Sequence, residues 1–409
     1  MKIAILTQSY LPKVGGIQIF AHNMSHQLAS QGHHVDVYVP ADAYNSLSAA
    51  YRTMLKPLPW KFFGLLRRFP TLGIRWASYW LRRRQRAERY DVWLAVGTYP
   101  AGFAAASLEG IVPLVLRASG EDIQKAADLG YGVRLNTAVE DRLRRSTQSF
   151  DRVVAMTESV QEDFLELGID AAKIARITNG VDVDWFREGR NQAGGRSQLG
   201  WSITVPIILT TGRNHRKKGF HLIPAIAQSL KAKGYRFQWH IVGLRTDELD
   251  AEINERGLGE CVVTHGEIGV QDSDNSEWRF PDKSLVRMYQ SADIYAFPTL
   301  LENFALVQLE AMAAGAAFVG TDAPGCRELV THGETGLQAR AGDVGSFAAQ
   351  LALVLDDSAL RAKLAASALE FAESCSWQNV AKKYHSVFAE VIHQRESTDG
   401  PLGLIRSTV

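Results

Sequence analysis

Glu302 and Glu310 stand eight residues apart in Pro298-Thr-Leu-Leu-Glu-Asn-Phe-Ala-Leu-Val-Gln-Leu-Glu-Ala-Met-Ala-Ala-Gly315. Carboxylates accept hydrogen bonds from hydroxyls and pair with cations, while the free amides at a helix start attract anions. Asn303 precedes an apolar run that Gly315 closes, so the stretch is read as a strand end, a turn and a helix beginning near Ala305, with Asn303 satisfying free amides. Glu302 is then at the mouth and Glu310 about two turns down the helix. Two acceptors flanking amide donors suit a ligand that offers hydroxyls, a diphosphate and a ribose, as a sugar nucleotide does.

A second group of charges lies in Thr210-Thr-Gly-Arg-Asn-His-Arg-Lys-Lys-Gly219. Arg213, Arg216, Lys217 and Lys218 follow a strand, and the carboxyl ends of parallel strands are where open α/β sheets bind ligands. A diphosphate fits such a turn, and a solvated basic loop is the plain alternative. In Pro12-Lys-Val-Gly-Gly-Ile-Gln-Ile-Phe20, Gly15 and Gly16 open a helix. They permit close approach of a phosphate or simply a tight strand-to-helix turn. Gly-x-Gly-x-x-Gly is absent there, which disfavours a nicotinamide dehydrogenase.

The elements that must position these groups are short β-branched runs alternating with helical patterns. Strands are expected at Ile3–Leu6, Val35–Val39, Val92–Val96, Leu114–Leu116 and Val153–Met156, and again at Val205–Thr211, Gln238–Val242, Cys261–Thr264, Ile294–Phe297 and Ala317–Gly320. This rhythm predicts βαβ units and two doubly wound α/β domains. The expected division is 1–187, 188–376 and a C-terminal helix and tail, 377–409, crossing back to the first domain. Glu188–Gly200, rich in Gly, Arg, Asn and Gln, reads as a linker, and Asn179-Gly180 as a turn.

Length and composition bound the function. A chain of 409 residues exceeds one core and suggests two domains of about 180 to 200 residues. Lys plus Arg number 45 against 44 Asp plus Glu, which disfavours nucleic-acid binding driven by overall charge. The start reads as a first strand and lacks a signal-peptide pattern, and no apolar run reaches membrane-span length. Cys261, Cys326 and Cys375 lack metal-ligand spacing, so neither a disulfide framework nor a zinc site is expected, and a cytoplasmic setting follows.

Taken in order, these pieces resemble the GT-B-fold retaining glycosyltransferases of family 4. The resemblance rests on Gly15-Gly16, Asn179-Gly180-Val181-Asp182 with Phe186, Gly212-Arg213 with Lys218-Gly219, and Glu302 with Glu310. Gly325, Glu328, His332-Gly333 and Thr335-Gly336-Leu337 add to it. It implies two Rossmann-like domains facing across a cleft, with the donor on the C-terminal domain and the acceptor on the N-terminal one. By resemblance, Arg213 and Lys218 hold the diphosphate and Glu310 the ribose. Glu302 holds the transferred sugar, making Arg213, Lys218 and Glu302 the catalytic set. Backbone N–H groups of Phe304, Ala305 and Leu306 cap the distal phosphate, Asn303 and Gly16 add to the donor site, and Ile268 meets the base through its backbone. The acceptor side is expected at Gly15, Ser119, Glu121 and Asp122.

The chain departs from the family pattern at two places. Ala305 stands where Gly is common, implying a tighter space around the donor sugar. Ser119 stands where many relatives carry His, and a hydroxyl can hydrogen-bond a sugar but carries no charge and is no base near neutral pH. Arg117, Glu121 or Asp122 are the alternatives for that contact.

The expected activity is metal-independent, retaining transfer of a hexose-type sugar from a UDP- or GDP-sugar to a glycan or glycolipid in polysaccharide or lipopolysaccharide biosynthesis. The nucleotide sugar is a co-substrate, and no cofactor is implied. A front-face substitution would give an α-linked product from an α-linked donor. A sugar-nucleotide epimerase and a non-catalytic sugar-nucleotide or membrane-bound binder are the alternatives, Ser119 favouring the latter.

Between Asp42 and Glu88 no acidic residue occurs. Ten Lys and Arg from Arg52 to Arg86 alternate with Trp60, Phe62, Phe63, Phe69, Trp76, Tyr79 and Trp80. Residues 52–86 fit a peripheral contact with an anionic membrane surface, an ordinary helix with buried aromatics, or a phosphate-bearing acceptor.

Overall fold

In the computed structural model, residues 1–268 and 279–399 are described. The chain divides into two compact units, Met1–Thr178 with the segment from Trp377, and Asn179–Ser376. The expected tail at 400–409 lies outside the described residues. The division falls before the expected boundary because Val183–Arg187 is a helix of the second unit. There the Trp185 indole N–H donates to the Pro281 carbonyl at 2.8 Å, and Phe186 is fully buried, its ring edge-on to Tyr289.

The first unit holds a seven-stranded parallel sheet in the order β3-β2-β1-β4-β5-β6-β7. Its strands are β1 Lys2–Thr7, β2 His34–Val39, β3 Leu55–Pro57, β4 Val92–Val96, β5 Leu114–Arg117, β6 Arg152–Ala155 and β7 Ile174–Arg176. The order reverses between β1 and β4, which register Ile3 against Val92 and Leu6 against Ala95. Chain reversal of this kind opens a crevice at the carboxyl ends of the two strands.

Every residue of β4 is buried, the signature of a strand covered by helices on both faces. On one face the helix Pro70–Glu88 buries Gly73, Ala77 and Leu81 at helical spacing. Trp76 and Trp80 pack partly into the same core, each with its ring against Phe62. The final helix, Trp377–Asp399, lies against Gly16–Ser30, with Phe20 packed on Trp377 and Tyr384.

The second unit holds a six-stranded parallel sheet, β10-β9-β8-β11-β12-β13. Its strands are β8 Ile207–Thr211, β9 Gln238–Val242, β10 Val262–Thr264, β11 Ile294–Ala296, β12 Ala317–Thr321 and β13 Leu337–Ala339. Here the order reverses between β8 and β11, with Ile208 opposite Ile294. The loops that follow these two strands carry the basic turn and the Glu302 segment.

The expected linker contains a helix, Gln192–Leu199. Asn191 caps its start by accepting the Gly194 amide, and Gly200 ends it in the left-handed conformation. Arg196 on this helix is buried and pairs with Asp293 at 2.6 Å. No helix among the described residues is long and apolar enough to cross a membrane.

Candidate functional site

The loop after β8 and the loop after β11 are stitched together by backbone. The Lys217 carbonyl accepts from the Leu300 amide at 2.7 Å and the Thr299 hydroxyl at 3.0 Å. Gly219 closes the basic turn at a φ of +68°, and a Cβ there would sit 1.8 Å from the Pro298 carbonyl oxygen. Behind Glu302, Gly325 takes a φ of +75°, and a Cβ would meet the Glu302 carbonyl oxygen at 2.0 Å. The Glu302 amide in turn donates to the Pro324 carbonyl at 2.8 Å. Only glycine combines that conformation with that approach, so the two loops are held in one register.

This register places Lys218 Nζ 2.7 Å from a Glu302 oxygen and Lys217 Nζ 3.9 Å from the other, with Glu302 almost wholly buried. Burial alone would raise the Glu302 pKa, but the Lys218 and Lys217 charges outweigh it and hold the carboxyl below its usual range. Lys218 also lies over the Phe297 ring, 5.1 Å from its centroid. Arg213 is exposed and makes no ion pair among the described residues. His215, whose Nδ1 accepts the Lys217 amide at 3.3 Å, is driven toward the neutral imidazole by burial first and then by the surrounding cations.

Glu310 is in a different environment. Its Oε2 accepts from the Tyr289 hydroxyl at 2.7 Å, and that hydroxyl lies 2.5 Å from Thr211 Oγ1, which is 2.8 Å from the Tyr295 hydroxyl. All four side chains are buried. Burial pushes the Glu310 carboxyl up to about 7, against the opposing pull of the Tyr289 hydrogen bond and Lys218. Two glutamates eight residues apart thus have opposite tendencies: Glu302 is held ionised and Glu310 is poised near neutrality.

The helix between them runs Leu306–Ala313, capped by Ala305 with no side-chain hydrogen bond, and Gly315 follows its end at a φ of +73°. Asn303 is buried two residues before the cap, so the capping role expected of it falls to no side chain. Phe304, Ala305 and Asn303 are buried in the turn. Ile268 is half-buried after β10, beyond the left-handed Gly266.

In the first unit Gly15 caps the helix Gly16–Ser30 in extended backbone. The loop after β5 is organised by Asp122, which is buried and accepts the amides of Thr98, Ser119 and Gly120. Arg117 is buried, stacked 3.8 Å over Phe20, and donates to Ser119 Oγ at 3.3 Å. Of the residues expected near an acceptor, Asp122 and Arg117 are therefore engaged in loop architecture, Ser119 is half-buried and Glu121 is exposed.

Tyr289, Tyr295 and Thr211 were not singled out from the sequence, and Lys217 was named only as one of four cations in the basic turn. A tyrosine on the apolar face of the helix Lys283–Ser291 reads as core. Only the tertiary fold shows that its hydroxyl meets a carboxylate.

Comparison with known proteins gives the same picture. The family described as Glycosyltransferase Family 4 matches residues 14–185, and that described as Glycosyl transferases group 1 matches residues 195–371. The D-inositol 3-phosphate glycosyltransferase of Corynebacterium efficiens is 29% identical over 59% of this chain, and the match spans 58% of that relative's length. An uncharacterized glycosyltransferase of Methanocaldococcus jannaschii is 25% identical over 95% of this chain and 98% of its own. Among solved structures, Anabaena HepE in complex with UDP superposes with a TM-score of 0.75 at 20% identity, covering 95% of this chain and 100% of that one. With two parallel-sheet Rossmann-like domains and both family matches in order, the chain belongs to the GT-B glycosyltransferases of family 4.

Proposed function

We propose that the protein is a retaining hexosyltransferase that uses a UDP- or GDP-sugar and extends a glycan or glycolipid of the cell surface. The observation that carries this reading is the Lys218–Glu302 pair, set at the sheet's switch point just ahead of the helix Leu306–Ala313. The second unit binds the donor and the first binds the acceptor. HepE, similar in fold, was solved with UDP, which supports a nucleotide donor. The name of the corynebacterial relative supports a hydroxylated acceptor that carries phosphate.

Cleaving the bond from anomeric carbon to phosphate builds negative charge on the departing diphosphate. Lys218, the exposed Arg213 and the helix N-terminus supply preorganised positive charge there, so metal assistance is not needed in this scheme. Glu302, held ionised, accepts hydroxyls of the transferred sugar, and Glu310 accepts those of the ribose. The incoming hydroxyl attacks from the face the diphosphate leaves, giving its proton to the leaving phosphate oxygen and retaining configuration.

The segment 52–86 splits its aromatics: Phe62 and Phe63 are buried, while Trp60, Phe69 and Tyr79 are exposed beside Arg68, Arg75 and Arg82. We assign this face to a peripheral contact with the anionic inner surface of the cell membrane. Transfer assays with UDP- and GDP-hexoses, run with and without EDTA, test the activity. A β-linked product by NMR would refute retention, and loss of turnover in EDTA would refute metal independence.

A further inference from the structure

A cavity of about 710 Å³ lies in the first unit, apart from the residues expected to face an acceptor. Its wall is built from three segments, each leaving the carboxyl end of a neighbouring strand, and the second and third include the short helices Ala41–Ser46 and Phe62–Arg68. Gln8 to Lys13 follow β1, Pro40 to Ser46 follow β2, and Pro59 to Arg67 follow β3. In parallel α/β sheets this is the edge where ligands enter.

Charge makes the cavity selective. Lys13, Lys61 and Arg67 line it against a single carboxylate, Asp42, and none of these four forms an ion pair among the described residues. Arg67 donates instead to the neutral Gln8 Oε1 at 3.0 Å. Three cations left uncompensated around one concavity attract an anion.

The frame beneath them is rigid. Phe62 and Phe63 are buried with rings 5.1 Å apart, and Phe62 packs on Trp80. Lys61 sits between this anchor and Trp60, with its Nζ 3.9 Å from the Trp60 ring centroid. It adopts the left-handed conformation, φ +55°, which disfavours any side chain with a Cβ. A cation kept in a strained position in the wall of a cavity, beside a tryptophan that is 76% exposed, is an arrangement packing alone does not require.

We infer that this cavity binds a phosphate ester carried by the acceptor. Lys13, Lys61 and Arg67 hold the phosphate, and Trp60 offers a face to the attached sugar or glycerol. The inference rests on the reading of the chain as a glycosyltransferase and adds the site that holds the acceptor's phosphate. The phosphate can belong to a soluble sugar phosphate or to a phospholipid headgroup, since both present the same group.

Calorimetric titration of the full chain separates these. The soluble probes are hexose 1-phosphates and inositol phosphates, each beside its unphosphorylated sugar. The membrane probes are vesicles of phosphatidylcholine alone and with phosphatidylinositol. The variants are Lys13→Gln/Lys61→Gln/Arg67→Gln and a control of equal charge change at exposed positions elsewhere, Lys363→Gln/Lys382→Gln/Lys383→Gln.

A phosphate ester in one of the two forms should bind wild type and control alike, its bare counterpart should not, and the cavity variant should bind about tenfold or more weakly. Binding of the soluble esters identifies a sugar phosphate, and binding only of phosphatidylinositol vesicles identifies a headgroup. Failure of every phosphate probe with wild type, or equal binding by the cavity variant, overturns the proposal. UDP is titrated into each variant as well: unchanged UDP binding shows that the fold and the donor site survive, so a failure here is distinct from a failure of the glycosyltransferase reading.

Discussion

Lys218 Nζ and the Glu302 carboxylate approach to 2.7 Å across the carboxyl ends of β8 and β11, with both side chains largely withdrawn from water. The pair is complementary in the free protein, and a diphosphate in the proposed donor site would compete with Glu302 for the lysine. Removing the cation should therefore harm the step that builds leaving-group charge. Lys218→Ala is expected to lower kcat by about 100-fold or more, the usual loss when one preorganised donor to a developing anion is deleted. Steady-state kinetics with the best donor measures it, and wild-type kcat would remove Lys218 from the chemistry.

Glu310 gives a pH signature. With the carboxyl at about 7 against an ordinary 4.5, it would accept ribose hydroxyls more strongly once deprotonated, so donor affinity should rise with pH through the neutral range. The Tyr289 hydrogen bond lowers this pKa, and Tyr289→Phe should shift the rise to higher pH. Titration of UDP binding between pH 6 and about 8.5 reads both effects. A flat profile in wild type would contradict the assignment.

The same carboxyl affects stability with the opposite sense. Between its ordinary value of 4.5 and about 7, native Glu310 keeps a proton that the unfolded chain has lost. The unfolded state binds fewer protons there, so stability falls as pH rises across that window. Glu310→Gln should flatten this fall and raise the Tm above pH 7, while weakening UDP binding by about tenfold. Thermal melts over pH 4 to about 8 check the sign, and an unchanged slope in the variant would refute it.

Asp122 serves the first unit as an anchor for three amides. Asp122→Ala leaves buried donors without acceptors and should cost about 2 to 4 kcal/mol, seen as a lowered urea midpoint. UDP affinity should stay at the wild-type value, because Lys218, Glu302 and Glu310, the proposed donor contacts, belong to the other unit. A stable variant with a specific loss of acceptor binding would instead return Asp122 to the substrate.

Gly219→Ala and Gly325→Ala test the loop register. Each adds a Cβ within about 2 Å of a carbonyl oxygen at positive φ, so both should destabilise by more than about 1 kcal/mol and abolish the UDP-induced rise in Tm. Unaltered stability in either would show that the two loops are not held as described.

The fully buried strand β4 was legible in the sequence because two-faced burial writes itself as an apolar run, and the expected Val92–Val96 coincides with it. Among the three-residue edge strands β10 was expected, from its β-branched Val-Val-Thr, whereas β3, β7 and β13 lack such a run and were not, since that length is too short to show a period. Gln192–Leu199 was hidden by Gly194 and Gly195, which argue against a helix locally. A Cβ at Gly195 would lie 2.5 Å from Ser291 Oγ, so packing rather than propensity selects glycine there. At the candidate site, Glu302, Glu310 and Lys218 stood out as charges at strand ends. Tyr289 did not, because its partners are distant in sequence, and Asp122 was expected at an acceptor rather than as the acceptor of three backbone amides, which no sequence pattern encodes.

The most direct measurement is the position of a nucleoside diphosphate in a crystal of the protein grown with UDP or GDP. The account predicts the diphosphate within hydrogen-bonding distance of Lys218 Nζ and the amides of Phe304, Ala305 and Leu306, with the ribose on Glu310. A diphosphate bound anywhere else on the chain, with Lys218 still closed on Glu302, would contradict it.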